Sequence, residues 1–124
     1  MLQLSFEDQE TQGEIVRVSN VELNAGGFVA IHQGSATGPV IGNSEYIDEN
    51  DPQQNLRILL DEPLNSSQTL VAMPHLDTNA NEEYEFDGGS VDAPYTQNGT
   101  PVTDSARVTL EGAAADFQVS NLDP

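Results

Sequence analysis

In Asn55-Leu56-Arg57-Ile58-Leu59-Leu60-Asp61, the side chains of Leu56, Ile58 and Leu60 fall on one side of an extended chain, with Arg57 and Asp61 on the other. Successive side chains of a β-strand point to opposite faces, so this stretch reads as a strand with one face buried and one in water. Val108 and Leu110 set against Arg107 repeat the pattern. Working outward, short alternating runs predict further strands at Leu2–Phe6, Glu14–Leu23, Gly27–Gln33, Val40–Ile47, Thr69–Pro74, Glu83–Phe86 and Asp116–Val119, beside Asn55–Leu60 and Ala106–Leu110. Turn chemistry separates most of them: Asn24-Ala25-Gly26-Gly27, Gly38-Pro39, Asn50-Asp51-Pro52, Glu62-Pro63, Asp87-Gly88-Gly89 and Asn98-Gly99-Thr100. No segment carries a helical period. The fold class this implies is all-β, an antiparallel, immunoglobulin-like β-sandwich of about eight strands.

A chain of 124 residues fits one domain. The division expected is a sandwich over 1–110 and a C-terminal linker with one short strand over 111–124. That short strand, Asp116–Val119, would pair with an edge strand and, in an assembly, contact a neighbouring subunit; the other reading is a frayed chain end. No run approaches the roughly 20 apolar residues of a membrane span, so membrane insertion is not expected. Met1-Leu2-Gln3-Leu4-Ser5-Phe6-Glu7 has neither a basic nor an apolar region, and no signal peptide is read there.

Charge is the dominant compositional feature. There are 21 Asp and Glu against Arg17, Arg57 and Arg107, with no Lys, for a net charge of −18. So much like charge on a small domain opposes compaction in dilute buffer, and molar salt screens it. Carboxylates also stay hydrated where water is scarce. The balance therefore reads as adaptation to concentrated salt. Two other readings of an acidic chain fit less well. Disorder conflicts with the interleaved apolar pattern, and mimicry of DNA needs a carboxylate spacing that sequence does not display. No nucleic-acid partner is expected of so acidic a chain.

Between Glu14 and Leu110 several phrases stand in a fixed order. They are Gly26-Gly27-Phe28-Val29-Ala30-Ile31-His32, Val40-Ile41-Gly42-Asn43-Ser44-Glu45-Tyr46 and Leu60-Asp61-Glu62-Pro63-Leu64. Then follow Leu70-Val71-Ala72-Met73-Pro74-His75-Leu76-Asp77-Thr78-Asn79-Ala80-Asn81, Tyr84-Glu85-Phe86, Ala93-Pro94-Tyr95-Thr96 and Asn98-Gly99. In these the chain resembles a family of β-sandwich domains of unknown function found on cell-surface proteins of halophilic archaea. The resemblance implies a non-catalytic structural or interaction module facing outward in high salt. It would be a domain of a cell-surface protein or, since the chain starts at Met1 without a leader, a decoration or spike subunit of a virus of halophiles. Its partners would be other protein subunits of a surface layer or virion, copies of itself among them as a homo-oligomer.

Residues able to carry chemistry are few. Without Cys there is no disulfide or thiolate site, and without Lys or a Gly-x-Ser-x-Gly elbow no nucleophile stands out, so an enzyme is not expected. No cofactor is required. Asp77, Asn79, Asn81, Glu83 and Glu85 place oxygen-bearing side chains at alternate positions, a pattern suited to a hard cation such as Ca²⁺. The same residues equally describe a connecting loop held by Asx turns. His32 and His75, the two histidines, each close an apolar strand. Such a pair could hold a transition metal with Met73, or each ring could cap its strand end by bonding to backbone. Asn65-Ser66-Ser67 and Asn98-Gly99-Thr100 are glycosylation sequons.

Overall fold

The structure is a computed structural model that describes residues 2–86 and 91–111. Its strands in chain order are β1 (Gln3–Ser5), β2 (Gln9–Thr11), β3 (Ile15–Glu22), β4 (Phe28–Gln33) and β5 (Val40–Asn43), followed by β6 (Gln53–Leu59), β7 (Gln68–His75), β8 (Thr96–Gln97), β9 (Thr100–Pro101) and β10 (Asp104–Leu110). One sheet has the order β1-β3-β6, a second β2-β10-β7-β4-β5, and β8 and β9 form a small hairpin. Val16, Val18 and Ile58 of the first sheet share one core with Val29, Ile31, Leu70, Ala72 and Val108 of the second. This is an all-β sandwich, and burying each of these Val, Ile and Leu side chains contributes about 1.5–3 kcal/mol.

The strand read from Leu56, Ile58 and Leu60 faces as expected, with Ile58 and Leu60 buried and Arg57 and Asp61 exposed. Three differences matter. Antiparallel pairing is not universal, because β2 runs parallel to β10 with Gln9 opposite Val108. Glu83–Phe86 is loop and not strand, since side chains take its backbone donors: Glu83 N–H goes to Asn81 Oδ1 and Glu85 N–H to Asp92 Oδ2. β5 stops at Asn43, where the Ser44 hydroxyl accepts the Val29 N–H at 2.9 Å in place of a ladder carbonyl. The Asp116–Val119 segment lies outside the described residues.

β4 and β7, the centre of the second sheet, are buried on both faces. That explains their continuous apolar runs, because a strand covered on two sides has no solvent face to alternate with. One face joins the core through Val29, Ile31, Leu70 and Ala72. The other carries Phe28, Ala30 and His32 on β4, opposite His75, Met73 and Val71 on β7. The connection from β7 to β8 folds over this second face.

Candidate functional site

Two imidazoles lie at the heart of that outer face. His75 is fully buried and His32 is 5 % exposed, with ring centroids 6.3 Å apart and ring planes 13° from parallel. Their β-carbons do not face each other in register, since His32 stands opposite Val71 and His75 opposite Phe28. The rings approach diagonally across the Ala30–Met73 pair. Each ring is held from one side. Nδ1 of His32 bonds to the Gly38 carbonyl at 2.9 Å and Nδ1 of His75 to the Asp92 carbonyl at 2.8 Å. A carbonyl only accepts, so both Nδ1 atoms donate, and each Nε2 of the neutral rings is left with a bare lone pair. Both Nε2 atoms are buried and find no hydrogen-bond partner among the described residues. Burial holds the His75 pKa below the ordinary histidine value; the bond to Asp92 opposes this and the neighbouring His32 adds to it.

Aromatic rings roof the pair. Tyr84 packs edge-on against His75 at 5.1 Å and against Phe28 at 5.7 Å, and Phe86 lies 4.8 Å from His75. The Tyr84 hydroxyl is buried without a partner among the described residues. Its pKa is pushed up to about 12, by burial first and by Asp92 second. Beside it an open groove of about 730 Å³ runs past Phe28, Tyr46 and Tyr84, with Glu45, Asp48 and Glu82 at its rim. Burial, then Asp48 and Glu82, raise the Tyr46 pKa.

The residue that fastens the roof is Asp92, which is fully buried. Its Oδ1 accepts the Thr78 N–H at 3.0 Å and its Oδ2 the Glu85 N–H at 2.7 Å, while its own N–H donates to Thr78 Oγ1 at 2.8 Å. With its carbonyl on His75, this one residue ties two parts of the loop to the end of β7. The sequence reading passed over Asp92. The available signal was weak: an Asp beside a turn, one residue before Ala93-Pro94, at a φ of 50° that Asp tolerates better than most residues. Tyr95 was also passed over as a clamp, although its hydroxyl donates to the Gly26 carbonyl and accepts the Ala25 N–H at 3.2 Å.

The five predicted loop residues are brought together only in part. Glu85 Oε1 accepts Nδ2–H bonds from Asn79 at 2.8 Å and Asn81 at 2.6 Å, and these bonds lower the Glu85 pKa. Asp77 Oδ2 accepts the Glu82 N–H at 2.9 Å, and Glu83 takes part through its backbone N–H. Holding Ca²⁺ would require both Asn side chains to turn oxygen inward and give up Glu85. Among the described residues no three His, Asp or Glu are grouped to hold a metal ion. For the histidines, the strand-capping contact to backbone and the proximity of the two rings are both present.

A two-sheet domain with a second, loop-roofed layer of histidines and aromatic rings is the class of protein that these elements define. The chain belongs to the family described as "Domain of unknown function (DUF7282)", which matches residues 2–109. It is 55 % identical over 107 residues to cell surface glycoprotein 2 of Haloarcula hispanica, covering 86 % of this chain and 11 % of that protein. With cell surface glycoprotein 1 of the same organism it shares 50 % identity over 107 residues, again 86 % of this chain and 11 % of the relative. The chain thus spans about a tenth of the length of these relatives. No solved structure matches it.

Proposed function

We propose that this domain is a non-catalytic structural module displayed on the outer surface of a cell living in concentrated salt. The observation that carries this reading is the identity to two cell surface glycoproteins across nearly all of the folded residues. Such a module contributes rigidity and a hydrated exterior to a layer of neighbouring protein subunits, copies of itself included. Its surface suits the setting, with Glu7, Glu10, Glu14, Asp48, Glu49, Asp61 and Glu62 all exposed. The names of the relatives favour a cell envelope over a virion as the exterior setting. The two sequons are accessible, since Asn65 and Asn98 are both exposed.

An antiserum against the folded domain, applied to intact cells that make it, tests the reading. Staining of intact cells is expected, and staining that appears only after lysis overturns it. Mass spectrometry of the protein from the same cells is expected to find glycan on Asn65 or Asn98.

A further inference from the structure

We propose that His32 and His75 form a copper site, in which the two Nε2 atoms ligate one Cu(I) ion on the roofed face of the second sheet. Three observations point to it. First, both lone pairs are buried and find no hydrogen-bond partner among the described residues. A buried acceptor left unmet costs about 1–3 kcal/mol, which a bound ligand would relieve.

Second, each ring makes the outer hydrogen bond that metal-bound histidines make. A ligating histidine commonly donates its other ring N–H to a carbonyl or carboxylate, which fixes the tautomer and the direction of the lone pair. Gly38 and Asp92 supply those two carbonyls at 2.9 and 2.8 Å. Binding therefore releases no proton from the neutral rings.

Third, the spacing and the neighbours select the metal. An imidazole nitrogen lies about 1.2 Å from its ring centroid and a metal–nitrogen bond is about 2.0 Å, so two rings that share one ion have centroids at most about 6.4 Å apart. The observed separation, 6.3 Å between ring planes 13° from parallel, lies within that limit. Zinc takes four ligands, and no third His, Asp or Glu joins these two among the described residues. Cu(I) accepts two or three soft donors, and Met73, buried on the same face between the two histidine positions, offers a thioether. The groove beside Phe28 and Tyr84 adjoins the pair, since the Tyr84 ring packs directly on His75.

The test is an anaerobic titration of the chelator-treated protein with Cu(I), held as its chloride complex in molar KCl, against a colorimetric Cu(I) chelator. One equivalent is expected to bind, and X-ray absorption is expected to show nitrogen donors. His32→Gln and His75→Gln should each weaken binding by about 100-fold or more. Because His75 is fully buried, its variant must be checked for folding; His32→Gln alone suffices if that variant fails. Absence of a one-to-one complex in the wild type overturns the proposal, and so does wild-type affinity in folded His32→Gln.

Discussion

Asp92 bears more of the roof than any other single side chain, and the cost of losing it can be set out bond by bond. Its carboxylate accepts two backbone N–H groups from a position with no solvent access. Hydrogen bonds to a charged group contribute about 1.5–3 kcal/mol each, and the orphaned donors would have to be hydrated again. Asp92→Ala is therefore expected to lower stability by about 3 kcal/mol or more in urea melts at constant high salt. A loss under about 1 kcal/mol would mean that the loop finds other partners. The tyrosines give a second check at this scale. Burial raises the pKa of Tyr46, Tyr84 and Tyr95, for Tyr84 to about 12, with the Ala25 N–H pulling Tyr95 partly back. Unfolded tyrosine ionises near pH 10, so the unfolded chain loses these protons first. The stability they contribute is present below about pH 10 and falls away as pH rises through the folded values. Absorbance of phenolate is expected to appear above pH 10 in the folded protein, Tyr84 last and near its value of about 12, with unfolding following. Titration of all three near pH 10 without unfolding would contradict the packing described for the roof.

Between elements, the close approach of β4 to the end of β7 turns on one position. Gly27 has φ 134°, and a β-carbon there would lie 1.9 Å from the His75 carbonyl oxygen, which is backbone and cannot swing aside. Gly27→Ala should cost about 3 kcal/mol or more. Gly99, at φ 80° with nothing within 4 Å, should lose only about 1 kcal/mol on the same change. Comparable losses at both sites in thermal melts would show that backbone conformation, and not the β4–β7 contact, sets the cost. The loop from Asp77 to Glu85 answers to a different experiment. Because Asn79 and Asn81 already serve Glu85, millimolar Ca²⁺ is expected to leave the melting temperature where Na⁺ of equal ionic strength leaves it. A rise abolished by Asp77→Ala would instead make the loop a cation site. These elements also mark what sequence can and cannot reveal. β3, β6 and β10 were legible because one face is buried and the alternation survives. β2 was not, since Gln9, Glu10 and Thr11 carry no apolar period, although they pair with β10 in parallel. Glu83–Phe86 looked like a strand from composition, but strand formation was decided elsewhere, by Asp92 and Asn81 taking its donors. For the site, the histidines were legible as residue types at strand ends. Their approach was not, because it depends on the Phe28–His75 and His32–Val71 register, which only the folded sheet defines.

At the scale of the whole molecule, the question is whether a fold with this core is stable at a net charge of −18. The buried layers are ordinary, so the unusual term is repulsion among carboxylates, most of which are exposed among the described residues, with Asp92 drawn inward as a hydrogen-bonding clamp. Cations do little to offset it. Arg17 and Arg57 face each other across the β3–β6 ladder, so two of the three positive charges oppose one another. Screening should therefore act on the fold as a ligand would. The Debye length falls from about 10 Å at 0.1 M salt to about 3 Å at 1 M, which removes most of the repulsion between neighbouring surface carboxylates. If that relief is on the order of 2 kcal/mol, the melting temperature should climb by about 10 °C between low and molar KCl. General salting-out also stabilises folded proteins, so the rise alone does not isolate the charge effect. Replacing exposed Glu7, Glu10, Glu14, Asp48, Glu49 and Glu62 by their amides does isolate it. Such a variant should be more stable than the parent in dilute buffer and show a shallower rise, the two curves converging in molar salt. Parallel curves would mean that salt acts on the apolar core, and the acidic surface would then serve hydration without setting the salt dependence of folding.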